Sequence, residues 1–442
     1  MDKKKLHLSN MSQSLKAKLT QAVLEKKIQT LEKKTLEVRL STSKTESCNI
    51  DLPNENAMQI IIEGGRKIGI DNPFFKVHEG VANNQTTINN QSFINFANYN
   101  YLGFNGRSEV NQAAMQAIAQ YGTSVSASRP VAGERPVQQA LEKALAEHYQ
   151  VEDAIVYVSG HATNVTTIGY LFNNKDLILH DALIHNSVLQ GIQLSGAKRM
   201  PFAHNDWQAL EQLLLTQRQN FAKVLIVIEG LYSMDGDYPD LPKFIEIKRR
   251  YNACLMVDEA HSLGVLGDKG YGIREHFNLA GTDVDIWMGT LSKTLASCGG
   301  YIAGKYALIQ NLKYFAPGFL YSVGIAPPLA AAALEALQLL HREPNKVQQL
   351  RNNGQLFLDL CRENGINTGK SVGLSVIPAI TQSSAKAGKL SNALFRENIN
   401  VQPIFYPAVE EGMSRLRFFI SSEHTEEQIK ETVKKLAYYW NK

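Results

Sequence analysis

From about residue 96 the chain repeats one pattern. A short apolar run ends in polar or small residues, and a longer stretch with helical spacing follows it. The runs AIVYVS, DLILHD, KVLIVIEG, ACLMVDEAH and DIWMGTLSK carry this pattern. Runs so short and so continuously apolar suit strands buried on both faces, and their alternation with helices makes parallel βαβ units. The chain is therefore expected to be α/β, built on a mostly parallel sheet. Ligands of such sheets sit beyond the carboxyl ends of the strands. That rule predicts one crevice ringed by Ser159, His161, Asp181, Glu229, Asp258, His261 and Lys293.

The 442 residues exceed the length of about 250 to 300 at which a single core stops growing, so more than one domain is expected. The helical run APPLAAAALEALQLLHRE, residues 326 to 343, reads as a bridge into a second, smaller α+β domain. There GLSVIPAIT, NVQPIFYPAV and SRLRFFIS are strand-like, and HTEEQIKETVKKLAYYW is a closing helix with Thr425 as its N-cap. At the other end, Leu15, Leu19, Val23, Leu24, Ile28, Leu31 and Leu36 recur at close to helical spacing among Lys and Glu. The polar stretch STSKTESCNIDLPNENA then reads as a linker. The expected division is 1–55 for the amphipathic helix and linker, 56–95 for an N-terminal segment of the compact protein, 96–325 for the large domain and 326–442 for the small C-terminal one.

Composition narrows the function by exclusion. A formal charge of +4, with much of the basic excess gathered near the N-terminus, argues against nucleic acid as a partner. Cys48, Cys254, Cys298 and Cys361 are far apart and form no metal-binding spacing, so no metal is expected and the thiols read as reduced. No stretch approaches the roughly 18 apolar residues of a spanning helix, and MDKKKLHLSNMSQ lacks a signal-peptide core. The expected location is cytoplasmic, with no membrane span.

Two segments carry the chemistry. LMVDEAHSLGVLG delivers Asp258 and, three residues later, His261 to a strand end. A pyridinium nitrogen stays protonated only beside a buried carboxylate, and Asp258 is suited to that task. DIWMGTLSKTLASCGGYIAG ends another apolar strand in Thr290, Ser292 and Lys293, with Gly299 and Gly300 close behind. Lysine forms an imine with an aldehyde only when partly neutral, which desolvation in a crevice achieves. Each segment alone is as compatible with a cap or a surface charge; the pair, in this order and on βα units, points to a pyridoxal-type site.

The ordered set ANYNYLGF, SASRPVAG, SGHATN, HDALIHNSVLQG, EGLYSMDGDYPDL, VDEAHSLGVLG, GTLSKTLASCGGYIAG, FLYSVGIAPP and SRLRFFISSEHT resembles the α-oxoamine synthase family over about residues 56 to 442. The resemblance implies the fold type I architecture of pyridoxal 5′-phosphate (PLP) enzymes, with 96–325 as the cofactor-binding domain. It implies a transferase that condenses a small amino acid with an acyl thioester, with loss of carbon dioxide, to give an α-amino ketone. By residue, Lys293 matches the Schiff-base lysine, His185 the histidine stacked on the ring, and Asp258 the partner of the ring nitrogen. Ser233 and His261 fall near the phenolic oxygen. Ser159, Gly160, His161 and Thr290 fall where the phosphate binds, and Ser322 matches a phosphate contact given by the neighbouring subunit of a homodimer. Lys293, His185, Asp258 and His261 are thus the implied catalytic set. Asn100 and Arg415 match substrate-holding positions, with Arg417 the alternate because the RLR pair leaves the strand face open.

Three departures bear on substrate preference: His161 stands where many members have an aromatic residue, Gln138 where a histidine is expected, and Phe405-Tyr406 where some carry Arg-Pro. The acyl donor is left open between coenzyme A and an acyl carrier protein, for which the N-terminal helix would be a docking element. An aminotransferase or amino-acid decarboxylase on the same fold is the alternative activity. A non-catalytic relative is disfavoured by the intact lysine and ring-binding set.

Overall fold

The structure is a computed structural model that describes residue 53 and residues 55–59, 62–63, 69–406, 408–410 and 412–442. The chain divides into two compact units, Met1–Gly64 and Gly65–Lys442. The first contributes a short helix, Glu55–Gln59, to the described residues. The amphipathic helix expected over residues 12 to 40, and Cys48, lie outside them.

The second unit opens with a hairpin, β1 (Gln85–Ile88) and β2 (Gln91–Asn95). Asn89 and Asn90 turn it with φ of 51° and 62°, the left-handed pair that a two-residue hairpin loop requires and that asparagine tolerates. Seven strands then form the main sheet: β3 (Asp153–Tyr157), β4 (Leu177–Asp181), β5 (Lys198–Phe202), β6 (Val224–Glu229), β7 (Cys254–Asp258), β8 (Ile286–Thr290) and β9 (Gly300–Gly304). Their spatial order is β3-β9-β8-β7-β6-β4-β5. Only β9 runs against its neighbours, β3 and β8; the other pairings are parallel.

Burial on both faces explains why the interior strands are continuously apolar. On β6, Ile226 and Ile228 join one core while Leu225 and Val227 join the other, and on β7 Leu255 and Val257 are split in the same way from Met256. The two cores are the two faces of one sheet, filled by the period-two alternation of side chains. Trp287 is fully buried in the first, stacked on Tyr149, and its Nε1 donates to the Gly281 carbonyl at 2.8 Å.

The expected bridge is a helix over Pro327–Arg342, followed by Pro344–Glu363. A small sheet comes next. Strands β10 (Val376–Ile380), β12 (Gln402–Ile404) and β13 (Arg415–Phe419) lie in the order β10-β13-β12, all antiparallel. The two-residue strand β11 (Ile399–Asn400) instead pairs parallel to β2, joining Ile399 to Ile94. The closing helix Glu426–Trp440 begins at Thr425, whose Oγ1 accepts from the Gln428 amide at 3.2 Å while Gln428 Oε1 accepts from the Thr425 amide at 3.1 Å. That reciprocal cap is what the sequence HTEEQ prescribes. Among the described residues no helix is long and apolar enough to cross a membrane.

Candidate active site

Beyond the carboxyl ends of β3, β6, β7 and β8 lies a cavity of about 380 Å³, whose walls bring together Ser159, Gly160, His161, His185, Ser233, Asp258, His261, Thr290 and Lys293. The sheet register sets the floor. Asp258, last residue of β7, sits opposite Glu229 at the end of β6 and Met288 on β8. Lys293 follows β8 by three residues, and its Nζ stands 5.6 Å from the centre of the Tyr99 ring.

Burial governs the charges here. It lowers the Lys293 amine to about 8, although Asp258 and Glu229 pull the other way. At pH 7.5 roughly a quarter of such an amine is neutral, against about one part in a thousand for a lysine in water. His261 is held well below the usual imidazole range by burial and by the positive charges of Lys293 and Arg417. Its Nδ1 is 2.7 Å from the Tyr101 hydroxyl. Burial likewise lowers His185, which caps the helix Asn186–Ser195: its Nδ1 accepts from the Ser187 amide at 3.3 Å, and the Ser187 hydroxyl is 2.7 Å away. Glu229 is pushed well above the ordinary carboxyl range by burial and by Asp258, and its Oε1 accepts from the His185 amide at 2.8 Å.

Asp258 is buried and accepts twice from the protein, Oδ1 from the Ala260 amide and Oδ2 from Asn164 Nδ2, each at 3.0 Å. A carboxylate has about four acceptor sites, so capacity is left for a further donor. At another wall the helix Gly160–Leu171 starts beside Thr290. A Cβ on Gly300 would lie 2.4 Å from Thr163 Oγ1 and 2.7 Å from Gly160 Cα. The missing side chain on β9 therefore lets the helix start come down onto the sheet, where helix dipole and first-turn amides favour an anion.

Four expected residues stand elsewhere. Arg415 does not line the cavity; it is buried, paired with Asp235 at 2.9 Å, and donates to the Met234 and Met413 carbonyls. Arg417, two residues on and so on the same alternation of β13, is the arginine whose guanidinium reaches the cavity wall. Asp235 holds the Arg415 guanidinium in an ion pair, while Arg417 lines the cavity. Asn100 spends its amide on backbone, donating to Ala82 O at 3.0 Å and accepting from the Asn105 amide at 3.1 Å, and Tyr99 lines the cavity in its place. Ser322 lies outside this cavity, its Oγ donating to Val323 O at 3.3 Å. Asp181, read from its strand end as part of the crevice, turns instead to His204. Residues not singled out from the sequence also enter: Tyr99, Met234, Met288 and Cys298 as wall, with Asn164 and Tyr101 as partners of Asp258 and His261. Tyr99 and Tyr101 lie in ANYNYLGF, Asn164 in SGHATN, Met234 in EGLYSMDGDYPDL, and Met288 and Cys298 in DIWMGTLSKTLASCGGYIAG.

Such a sheet, with a partly neutral lysine, a buried aspartate and a helix start around one cavity, defines an enzyme of the PLP-dependent transferase class. Residues 91–436 match the family model of aminotransferase class I and II. An 8-amino-7-oxononanoate synthase of Petrotoga mobilis is 39% identical over 77% of this chain and 87% of its own. Serine palmitoyltransferase 3 of Caenorhabditis elegans is 36% identical over 76% of this chain and 69% of its own. Among solved structures, one of SPT with PLP as an internal aldimine superposes with a TM-score of 0.84 at 25% identity, covering 88% of this chain and 98% of that one. The chain belongs to the α-oxoamine synthase family, and its cofactor is pyridoxal 5′-phosphate. The cavity fits that group chemically: it offers an amine for the aldehyde, a carboxylate with spare acceptors for a ring N–H and a helix start for the phosphate. Two buried atoms in its walls, Asn164 Oδ1 and Arg417 Nε, have no partner among the described residues.

Proposed function

We propose that the protein joins a small amino acid to the acyl group of a coenzyme A thioester, releasing carbon dioxide and free thiol and leaving an α-amino ketone. The observation that carries this reading is the meeting, in one cavity, of a partly neutral Lys293 with Asp258 and a half-buried Arg417 whose Nε has no partner among the described residues. When bound, PLP supplies an electron sink for the charge that develops at the substrate Cα. Asp258 would keep the ring nitrogen protonated, and His185 would offer its flat imidazole to the ring. Ser159, Gly160, His161 and Thr290 would hold the phosphate, and Ser233 and His261 would serve the phenolic oxygen. Lys293 anchors the cofactor, takes the Cα proton as a general base and returns a proton to the product. Arg417, whose Nη1 donates to Ser233 O at 3.2 Å, turns its remaining donors to the substrate carboxylate.

Ser322 standing outside its own cavity accords with donation to the cavity of a second copy in a homodimer. The main sheet and the small sheet correspond, in this reading, to domains 96–325 and 326–442, with 1–55 and 56–95 preceding them. The test is thiol release from acyl thioesters supplied with single amino acids. Release that needs both substrates supports the condensation, whereas amino-acid turnover without a thioester would favour an aminotransferase or decarboxylase. Release only from a carrier-bound donor would replace coenzyme A by a carrier protein.

Arg417→Gln is expected to raise KM for the amino acid roughly 10- to 100-fold, the loss of a charge-assisted hydrogen-bonded pair, with a smaller change in kcat. Arg417→Lys recovers part of it, because it restores the charge without the fork. Steady-state kinetics at saturating thioester measure this; an unchanged KM in Arg417→Gln would return the carboxylate to Arg415 or elsewhere.

A further inference from the structure

Outside the cavity, one imidazole bridges two carboxylates. His204 Nδ1 is 2.9 Å from Asp181 Oδ1 and His204 Nε2 is 2.9 Å from Asp237 Oδ2. Neutral imidazole has a single N–H, so both contacts are hydrogen bonds only if the ring carries two protons. Burial opposes the charge, yet the two carboxylates outweigh it and raise His204 to about 9. The Tyr232 ring meets the imidazole edge to face at 4.5 Å, and Asn205 adds Nδ2 to Asp237 Oδ2 at 3.0 Å.

Each carboxylate belongs to a turn that builds the cavity. Asp181 ends β4 and accepts from the Leu183 amide at 2.8 Å and the Asn205 amide at 2.8 Å, which shapes the turn leading to His185. Asp237 closes the other turn: its carbonyl accepts from the Tyr232 amide at 2.8 Å, and the Gly236 amide donates to Tyr232 O at 2.9 Å. Between them lie Ser233 and Met234, which line the cavity. Arg417 Nη1 donates to Ser233 O and contacts Met234 Sδ at 3.4 Å. The chain of contacts thus runs from His204 through Asp237 and the turn to the arginine assigned to the substrate carboxylate.

We propose that His204 is a positioning residue for the condensation, its imidazolium clamping the His185 turn to the Ser233–Met234 turn and so setting the aim of Arg417. This rests on the reading under Proposed function. His204 touches neither cofactor nor substrate, and its removal acts through the walls it joins. Its two carboxylates sit on different turns, so losing the clamp frees both walls at once.

The test compares wild-type holoenzyme with His204→Gln, Asp237→Asn and the double variant. Amino-acid kinetics, the visible spectrum of the bound cofactor and thermal unfolding are read in parallel. His204→Gln is expected to raise KM for the amino acid roughly tenfold, with kcat changed less, and to shift the cofactor band as the His185 wall loosens. Asp237→Asn, nearly isosteric, should move KM in the same direction. The double variant should be no worse than His204→Gln, because both changes remove one shared interaction. A lowered unfolding temperature with KM and spectrum unchanged in the folded holoenzyme would reduce the cluster to a structural staple and overturn the proposal. Additive effects in the double variant would overturn it too. If wild type shows no thioester-dependent turnover, the functional reading fails, and the cofactor spectrum of the variants still decides the clamp.

Discussion

Lys293→Ala protein should release no thiol above background, a loss of roughly four orders of magnitude or more, because one substitution removes both the covalent anchor and the general base. It should still fold. A lysine whose folded pKa, about 8, lies below its unfolded value imposes a penalty on the native state that is complete below pH 8 and vanishes above the unfolded pKa. Alanine relieves that penalty, so the unfolding temperature of the cofactor-free variant at pH 7 should equal or exceed that of cofactor-free wild type. The same shift sets a pH dependence. Cofactor uptake by wild type should quicken as pH rises through about 8, where the amine becomes neutral, rather than near 10.5. Absorbance after removal of excess cofactor, with thiol release on the same samples, measures all of this. Substantial turnover in Lys293→Ala would overturn the assignment.

Asp258→Asn is expected to lower kcat by roughly three orders of magnitude while the cofactor stays bound, an electrostatic rather than a steric loss. The side chain keeps its shape, but a neutral amide cannot hold a proton on the ring nitrogen as a carboxylate does. Nor can the amide satisfy its neighbours. Asn164 Nδ2 and the Ala260 amide both donate to the present carboxylate, so whichever oxygen becomes NH₂ faces a donor. The effect on Lys293 has a definite sign: Asp258 raises its pKa, and without it the amine should titrate lower still. A kcat above a tenth of wild type, with Cα–H exchange into deuterium oxide at the normal rate, would show that the ring nitrogen relies on some other group.

The βα rhythm, Asp258, Lys293 and the Thr425 cap were legible because each follows from local pattern: a buried strand ends and its last polar residue faces the ligand side. Asp181 obeys the same rule yet leaves the cavity, because His204 competes for its carboxylate. Choosing between Arg415 and Arg417 needed the position of Asp235, which only the folded turn supplies. Asn164 and Tyr101 gave no signal of their own; they matter through residues 94 and 160 positions away. The β1–β2 hairpin is four and five residues long and rich in Gln, Asn and Thr, too short and polar for periodicity to reveal. Strand β11, at two residues, exists only because β2 is there to receive it.

That pairing of β2 with β11 also sets an order of assembly. Ile94 has no mate on that edge until Ile399 has been synthesised, and contacts so distant along a chain form late and slowly. By then residues 153–304, which hold all seven strands of the main sheet, have long left the ribosome. The strands that carry Asp258 and lead to Lys293 are therefore synthesised well before the arginine strand β13. In the interval an unmated strand edge is open to solvent and to other chains.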